Sequence, residues 1–158
     1  MSTNTEARGE ALVRDIMTTP AITVHQDMTV QELVALFREN RIGGVPVVDD
    51  DGMLVGIVTE GDLMALDADV QMPHYFELFD SIIYLGSQKK FKEQLQKAAA
   101  ATVSDLMTPA PHTVRPDDPA RAAATLMSRH GFDRVPVEED GKVVGIVSRH
   151  DIIKLLEL

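Results

Sequence analysis

GIVTEGD at residues 56–62 and GIVSRHD at residues 145–151 are one phrase written twice. Each copy holds a glycine, two β-branched apolar residues, a hydroxyl residue, two variable positions and an aspartate. The apolar start reads as the end of a strand. Thr59-x-x-Asp62 and Ser148-x-x-Asp151 then fit the [ST]-x-x-[DE] pattern of a capped helix start, and the glycine permits close backbone packing. Capping and binding coexist at such a junction. A strand that runs into a helix presents free N–H groups and a partial positive charge, which suits phosphate. The hydroxyl donates to a phosphate oxygen, and an ionised aspartate, which only accepts, suits the two hydroxyls of a ribose.

Working outward, the repetition extends far beyond the phrase. VRDIMTTPAITVHQD (13–27) lies over VSDLMTPAPHTVRPD (103–117) at an offset of 90, which persists through Leu36/Leu126, Val45/Val135, Pro46/Pro136 and Val47/Val137. It falls to 89 where DDDG faces EDG, a turn signal in which length varies cheaply. Each copy reads as strand, helix, strand, strand, helix. Ile22–Val24 is a short β-branched stretch, and Thr29 to Glu32 has the form of a capping box ahead of an apolar stripe of Leu33, Leu36 and Phe37. Asp118-Pro119 opens the second helix as N-cap and first-turn proline. Val45–Val48 and Leu54–Val58 flank the acidic turn as a hairpin, and Glu60–Leu66 and Arg149–Leu156 close the two units. A unit of about 55 residues buries too little surface alone. Two copies packed sheet to sheet share a core and a pseudo-twofold axis, which places related clefts between them.

The expected organisation is therefore an α/β (α+β) chain: a tail at 1–11, a first domain at 12–71, an insert at 72–101 and a second domain at 102–158. The insert holds five of the seven Phe and Tyr residues, Tyr75, Phe76, Phe79, Tyr84 and Phe91, and reads as two helices broken at Gly86-Ser87. Two readings of its aromatics stand: they cover the repeat core, or they form a protein–protein surface.

Composition narrows the function. A formal charge of −10 opposes nucleic-acid binding by general electrostatics. The absence of cysteine rules out disulfides, thiol catalysis and cysteine-based zinc sites. No apolar run approaches the roughly 20 residues of a membrane span, and MSTNTEARGE lacks the apolar core of a secretory signal, so a cytoplasmic location is expected. No nucleophile elbow, phosphate-binding glycine loop or paired acid/base arrangement is visible, and no catalytic residue is assigned. His150-Asp151 suggests half of a metal-binding pair, but His25, His74, His112 and His130 show no ligand spacing, so no metal site is expected.

Together, DIMTTP and DLMTPA, the GGVPVVD and DRVPVEED strands and the two G-h-h-[TS]-x-x-D phrases make the chain resemble tandem CBS domains, a pair known as a Bateman module. The resemblance covers residues 12–66 and 102–158 and leaves out the aromatic insert, although inserts of this kind resemble those of small bacterial stand-alone CBS proteins. It implies a non-enzymatic sensor that binds an adenosine-containing ligand (AMP, ADP or ATP) between the repeats and signals occupancy to a downstream protein; the charge of −10 adds the expectation that ATP binds with Mg²⁺. It also implies a homodimer or higher oligomer.

Carried over by position, one cleft combines Met17, Ile22, Ile42 and Gly43 with Ile146, Ser148, His150 and Asp151. The other combines Met107, His112, Phe132 and Asp133 with Ile57, Thr59, Gly61 and Asp62. Apolar members enclose adenine, backbone near Ile22 reads its edge, and the aspartate holds ribose. Arg134 matches a position that often carries a phosphate-binding arginine. Gly44 stands there in the first repeat, so half of that basic pair is missing. The cleft closed by Ser148 to Asp151 is expected to bind more tightly, because it offers Arg149 and His150 where the other offers Glu60 and Gly61. Two other functions remain open: a dimerisation module with empty clefts, and a sensor of S-adenosylmethionine or NAD.

Overall fold

The computed structural model describes residues 10–69, 74–78, 81–85 and 101–156. The first repeat runs β1 (Val24–His25), α2 (Val30–Asn40), β2 (Gly44–Val48), β3 (Leu54–Thr59) and α3 (Glu60–Asp69), after a short leader helix α1 (Val13–Ile16). β1 pairs parallel to β2, which forms an antiparallel hairpin with β3. The second repeat has its own leader helix α4 (Val103–Leu106) and strand β6 (Thr108–Pro109). It continues with α5 (Ala120–His130), the hairpin β7 (Arg134–Glu139) and β8 (Lys142–Ser148), and α6 (Arg149–Leu156). Here the first strand of the motif shrinks to one parallel bridge, Val114 to Val137, the counterpart of Val24 to Val47.

Local chemistry sets the helix starts. Thr29 caps α2 as expected: its Oγ1 accepts from the Glu32 N–H at 3.2 Å, and the Glu32 carboxylate accepts from the Thr29 N–H at 3.0 Å. The start of α5 differs from expectation. Pro119 is extended, at φ −62° and ψ 141°, and the helix begins at Ala120. Asp118 instead closes the preceding turn, its carboxylate accepting from the Arg115 N–H at 2.8 Å.

A larger correction falls on the insert. His74–Leu78 (β4) and Ser81–Leu85 (β5) form an antiparallel hairpin, with Tyr75 opposite Tyr84 and Phe76 opposite Ile83, where a helix was expected. HYFEL and SIIYL are rich in aromatic and β-branched residues, which suit a pleated ladder better than a helix. The expected break at Gly86-Ser87 and the second helix after it lie outside the described residues.

The two repeats exchange their leaders. Val13 of α1 is fully buried among Val114, Ala123, Met127, Val135, Val137 and Val147 of the second repeat. Val103 of α4 is fully buried among Val24, Leu33, Phe37, Val45, Val47 and Val58 of the first. The backbone records the same exchange twice. Val13 N–H donates to Asp118 O and Arg14 N–H to Pro116 O; Val103 N–H donates to Met28 O and Ser104 N–H to Gln26 O. Every one of these positions differs from its counterpart by 90, so the sequence offset is also the structural pseudo-twofold. β6 then pairs with β3, while Thr18 exchanges two hydrogen bonds with Ile146.

This exchange accounts for the repeated glycine. A Cβ on Gly56 would meet the Met107 side chain, with its Cγ at 3.0 Å, and the Thr108 carbonyl oxygen at 3.0 Å. A Cβ on Gly145 would meet Met17 Sδ at 2.7 Å and the Thr18 carbonyl oxygen at 3.0 Å. Each glycine is the place where one repeat's leader crosses the other's sheet.

Candidate functional site

Both hydroxyl–carboxylate motifs fold as the capping pattern requires. The Thr59 N–H and Oγ1 donate to Asp62 Oδ2 at 2.8 and 3.2 Å. The Ser148 N–H and Oγ donate to Asp151 Oδ2 at 2.8 and 3.0 Å. The cap therefore takes Oδ2 of each carboxylate and leaves Oδ1 for another partner. The two differ in what surrounds that second oxygen. Asp62 is half-buried. The Asp151 side chain is only 8% exposed, and Lys154 Nζ stands 3.9 Å from its Oδ1.

A cleft of about 580 Å³ opens beside Thr59 and Asp62. Ile57, Thr59, Gly61 and Asp62 form the wall from the first repeat, and His112, Phe132 and Asp133 belong to the wall from the second. These are the residues that the sequence groups into this cleft. Its other proposed member, Met107, is packed over Gly56 at the edge of the first core.

Residues grouped by sequence into the opposite cleft are more dispersed. Gly43 and Arg134 border the 580 Å³ cleft. Met17 packs against Gly145 and the second core, and Ile42 packs on the first core. Ile146 is half-buried and tied to Thr18, whereas Ile22 and His150 are exposed. Ser148 and Asp151 form the second cap.

The charges at the cleft are paired in part. Asp133 is not an unscreened carboxylate: Arg149 Nε lies 2.9 Å from its Oδ1, and the Arg149 N–H donates to its backbone oxygen. Arg149 is thereby engaged with Asp133. The equivalent backbone bond in the first repeat joins the Glu60 N–H to Gly43 O. There the Glu60 carboxylate lies beside Gly43, 3.0–3.2 Å from where a Cβ would sit. An aspartate at position 43 would face that carboxylate directly.

Sequence reading missed His130. Its ring stacks on His112 with centroids 4.3 Å apart and on Phe132 at 5.1 Å, so three rings form a continuous group at the cleft rim. The signal was the His130-Gly131-Phe132 junction, where a helix end in the left-handed conformation (Gly131, φ 69°) folds back onto the strand. A second convergence was hidden by sequence distance: His25, Asp27 and Asp50 place possible metal-ligand atoms within 4.8 Å of one another. Both ring nitrogens are already engaged, Nδ1 accepting from the Asp27 N–H at 3.1 Å and Nε2 lying 2.6 Å from Asp50 Oδ1. With its carboxylates exposed, the trio reads as a hydrogen-bonded cluster beside the hairpin turn.

Two repeats related by a pseudo-twofold, each with a hydroxyl–carboxylate cap where its hairpin runs into its closing helix, define a tandem-repeat module. The chain belongs to the CBS domain family, whose model matches residues 13–69 and 103–158. An uncharacterised protein of Methanocaldococcus jannaschii, MJ1426, is 35% identical over 153 residues, covering 92% of this chain and 90% of its own. Among solved structures, the CBS domain pair of protein MJ0100 in complex with 5′-methylthioadenosine and S-adenosyl-L-methionine superposes with a TM-score of 0.71 at 29% identity, covering 94% of this chain and 98% of that one. CBSX2 in complex with AMP superposes with a TM-score of 0.70 at 30% identity, covering 92% and 96%. The chain spans 63% of the full-length chloroplastic CBSX2 of Arabidopsis thaliana. No described helix is long and apolar enough to cross a membrane.

Proposed function

We propose that this protein is a non-enzymatic sensor of an adenosine-containing ligand, bound in the cleft between the repeats. The observation that carries this reading is the 580 Å³ cleft with the Thr59–Asp62 pair on one wall and Phe132 and Arg134 on the other. Ile57 and Phe132 supply apolar surface for a purine. Asp62 Oδ1, which the cap leaves over, accepts from ribose hydroxyls, and Arg134 meets a phosphate. The complexes of MJ0100 and CBSX2 with adenosine compounds support the ligand class.

This reading reverses the order of the clefts expected from sequence. Arg149 is held by Asp133, and Asp151 is enclosed with Lys154 at its second oxygen. Ser148, His150, Ile22 and Ile146 accordingly serve the weaker site, and the Thr59–Asp62 cleft serves the tighter one. In a thermal-shift screen with AMP, ADP, ATP, S-adenosylmethionine and NAD, a ligand at 100 times its dissociation constant stabilises by about 2.7 kcal/mol. For a chain of this length that corresponds to a rise of about 5–10 °C. AMP is the expected hit. No shift with any of the five would leave the dimerisation module as the better account.

The closing helices support self-association. Met64 on α3 and its counterpart Ile153 on α6 are 68% and 50% exposed, and Leu156 is 81% exposed. Apolar side chains at equivalent places on both helices suit a symmetric contact with a second copy. Light scattering is expected to return twice the 17.3 kDa chain mass at micromolar concentration. A monomer mass would remove this part of the proposal.

A further inference from the structure

The pseudo-twofold is broken by charge at one pair of positions. Residues 44 and 134 correspond, and each begins the first strand of its hairpin. Gly44 lies opposite Thr59 in the β2–β3 ladder, and Arg134 lies opposite Ser148 in the β7–β8 ladder. The Arg134 side chain crosses from its own ladder to the other. A Cβ on Gly44 would run into it, with Cδ at 2.8 Å and Cζ at 3.0 Å. The guanidinium thus fills the space that a side chain at position 44 would occupy. Its backbone is anchored beside one hydroxyl–carboxylate cap, and its charge lies over the strand that pairs with the other.

We infer that Arg134 is a single cation shared by both clefts, so that a phosphate bound in one withdraws it from the other. This inference rests on the adenosine-ligand reading above and adds a coupling between the sites. Arg134 forms no ion pair among the described residues, whereas Arg149, beside it across the ladder, is held at 2.9 Å by Asp133. In a chain of net charge −10, a second phosphate that lacks this guanidinium enters a repulsive field. Anionic ligands therefore bind the two clefts with negative coupling, and an uncharged nucleoside does not. Couplings between sites in proteins are typically 5- to 150-fold.

The test is calorimetry of the full chain with AMP and with adenosine. In the wild type, the ratio of second to first dissociation constant for AMP is expected to exceed that for adenosine by tenfold or more. A single AMP per chain alongside two adenosines is the extreme form of the same result. Arg134→Gln should weaken the first AMP event about tenfold and bring the AMP ratio down to the adenosine ratio. Arg134→Lys, which keeps the charge, should restore much of the excess. Ligand-free melting temperatures of the variants check that each is folded. Equal ratios for AMP and adenosine in the wild type, or an AMP excess that survives in Arg134→Gln, would overturn the inference while leaving the nucleotide reading intact. Failure of both ligands to bind would overturn the two together.

Discussion

Asp62→Asn is expected to weaken AMP binding at the tighter cleft by tenfold or more without lowering the melting temperature appreciably. The asparagine side-chain oxygen can still accept from the Thr59 N–H, as Asp62 Oδ2 does at 2.8 Å, so the start of α3 keeps its cap. What is lost is the acceptor at Oδ1, which becomes an NH₂ donor facing the ribose hydroxyls. A hydrogen bond to a charged group contributes about 1.5–3 kcal/mol, and about 1.4 kcal/mol is a factor of ten in affinity. Asp62→Ala is less informative, since it also removes the cap at a cost of about 1 kcal/mol. Asp151→Asn should leave the tighter event in place. Calorimetry in which Asp151→Asn removes the tight event and Asp62→Asn spares it would return the two clefts to the order expected from sequence.

The second large effect lies away from the ligand. Gly56→Ala is expected to destabilise the fold by about 1–3 kcal/mol, the range for overfilling a packed site. The added methyl meets the Thr108 carbonyl oxygen at 3.0 Å, a backbone atom that is fixed by the pairing of β6 with β3. It also meets Met107, which can give way. Met107→Ala should therefore relieve part of the damage, and the double variant should be more stable than the sum of the two single changes by about 1 kcal/mol. Gly61→Ala is the control, because a Cβ there meets only Thr59 Oγ1 at an ordinary 3.4 Å. Thermal denaturation in which Gly56→Ala melts with the wild type would show that the leader is not pressed against this strand.

Much of the architecture was legible because the offset of 90 couples every level of the structure. The duplicated phrase placed both caps, the hairpins and the closing helices, and Ile57, Thr59, Gly61 and Asp62 of its first copy line the open cleft. The offset alone does not show the exchange of leaders, which entered only through the resemblance that set Met17 with Ile146 and Met107 with Ile57, and the reason is geometric. A repeat offset is the same whether Val13 packs into its own half or into the other, since exchanging two equivalent segments leaves the sequence pattern unchanged. The proposed reversal of the clefts rests on pairing that residue types alone do not reveal. Arg149 counts as a cation in the sequence, but the β8–α6 junction folds it onto Asp133, sixteen positions earlier. The insert failed on periodicity: Tyr75, Phe76, Ile82, Ile83 and Tyr84 fit a helical stripe and a strand run alike, and a hairpin needs only the two residues that separate the strands.

The exchanged leaders also set an order of events as the chain is made. Synthesis runs from the N-terminus, and domains ordinarily begin to fold as they emerge. When residue 69 has left the ribosome, the first repeat possesses its own helices and hairpin, but the space that Val103 and Leu106 fill is open to water. It stays open until the whole insert and α4 have followed. Val13 waits longer still, because its shelter includes Val135, Val137 and Val147 near the other end of the chain. The first buried core residue along the described chain is thus among the last to be covered, and neither half closes on its own.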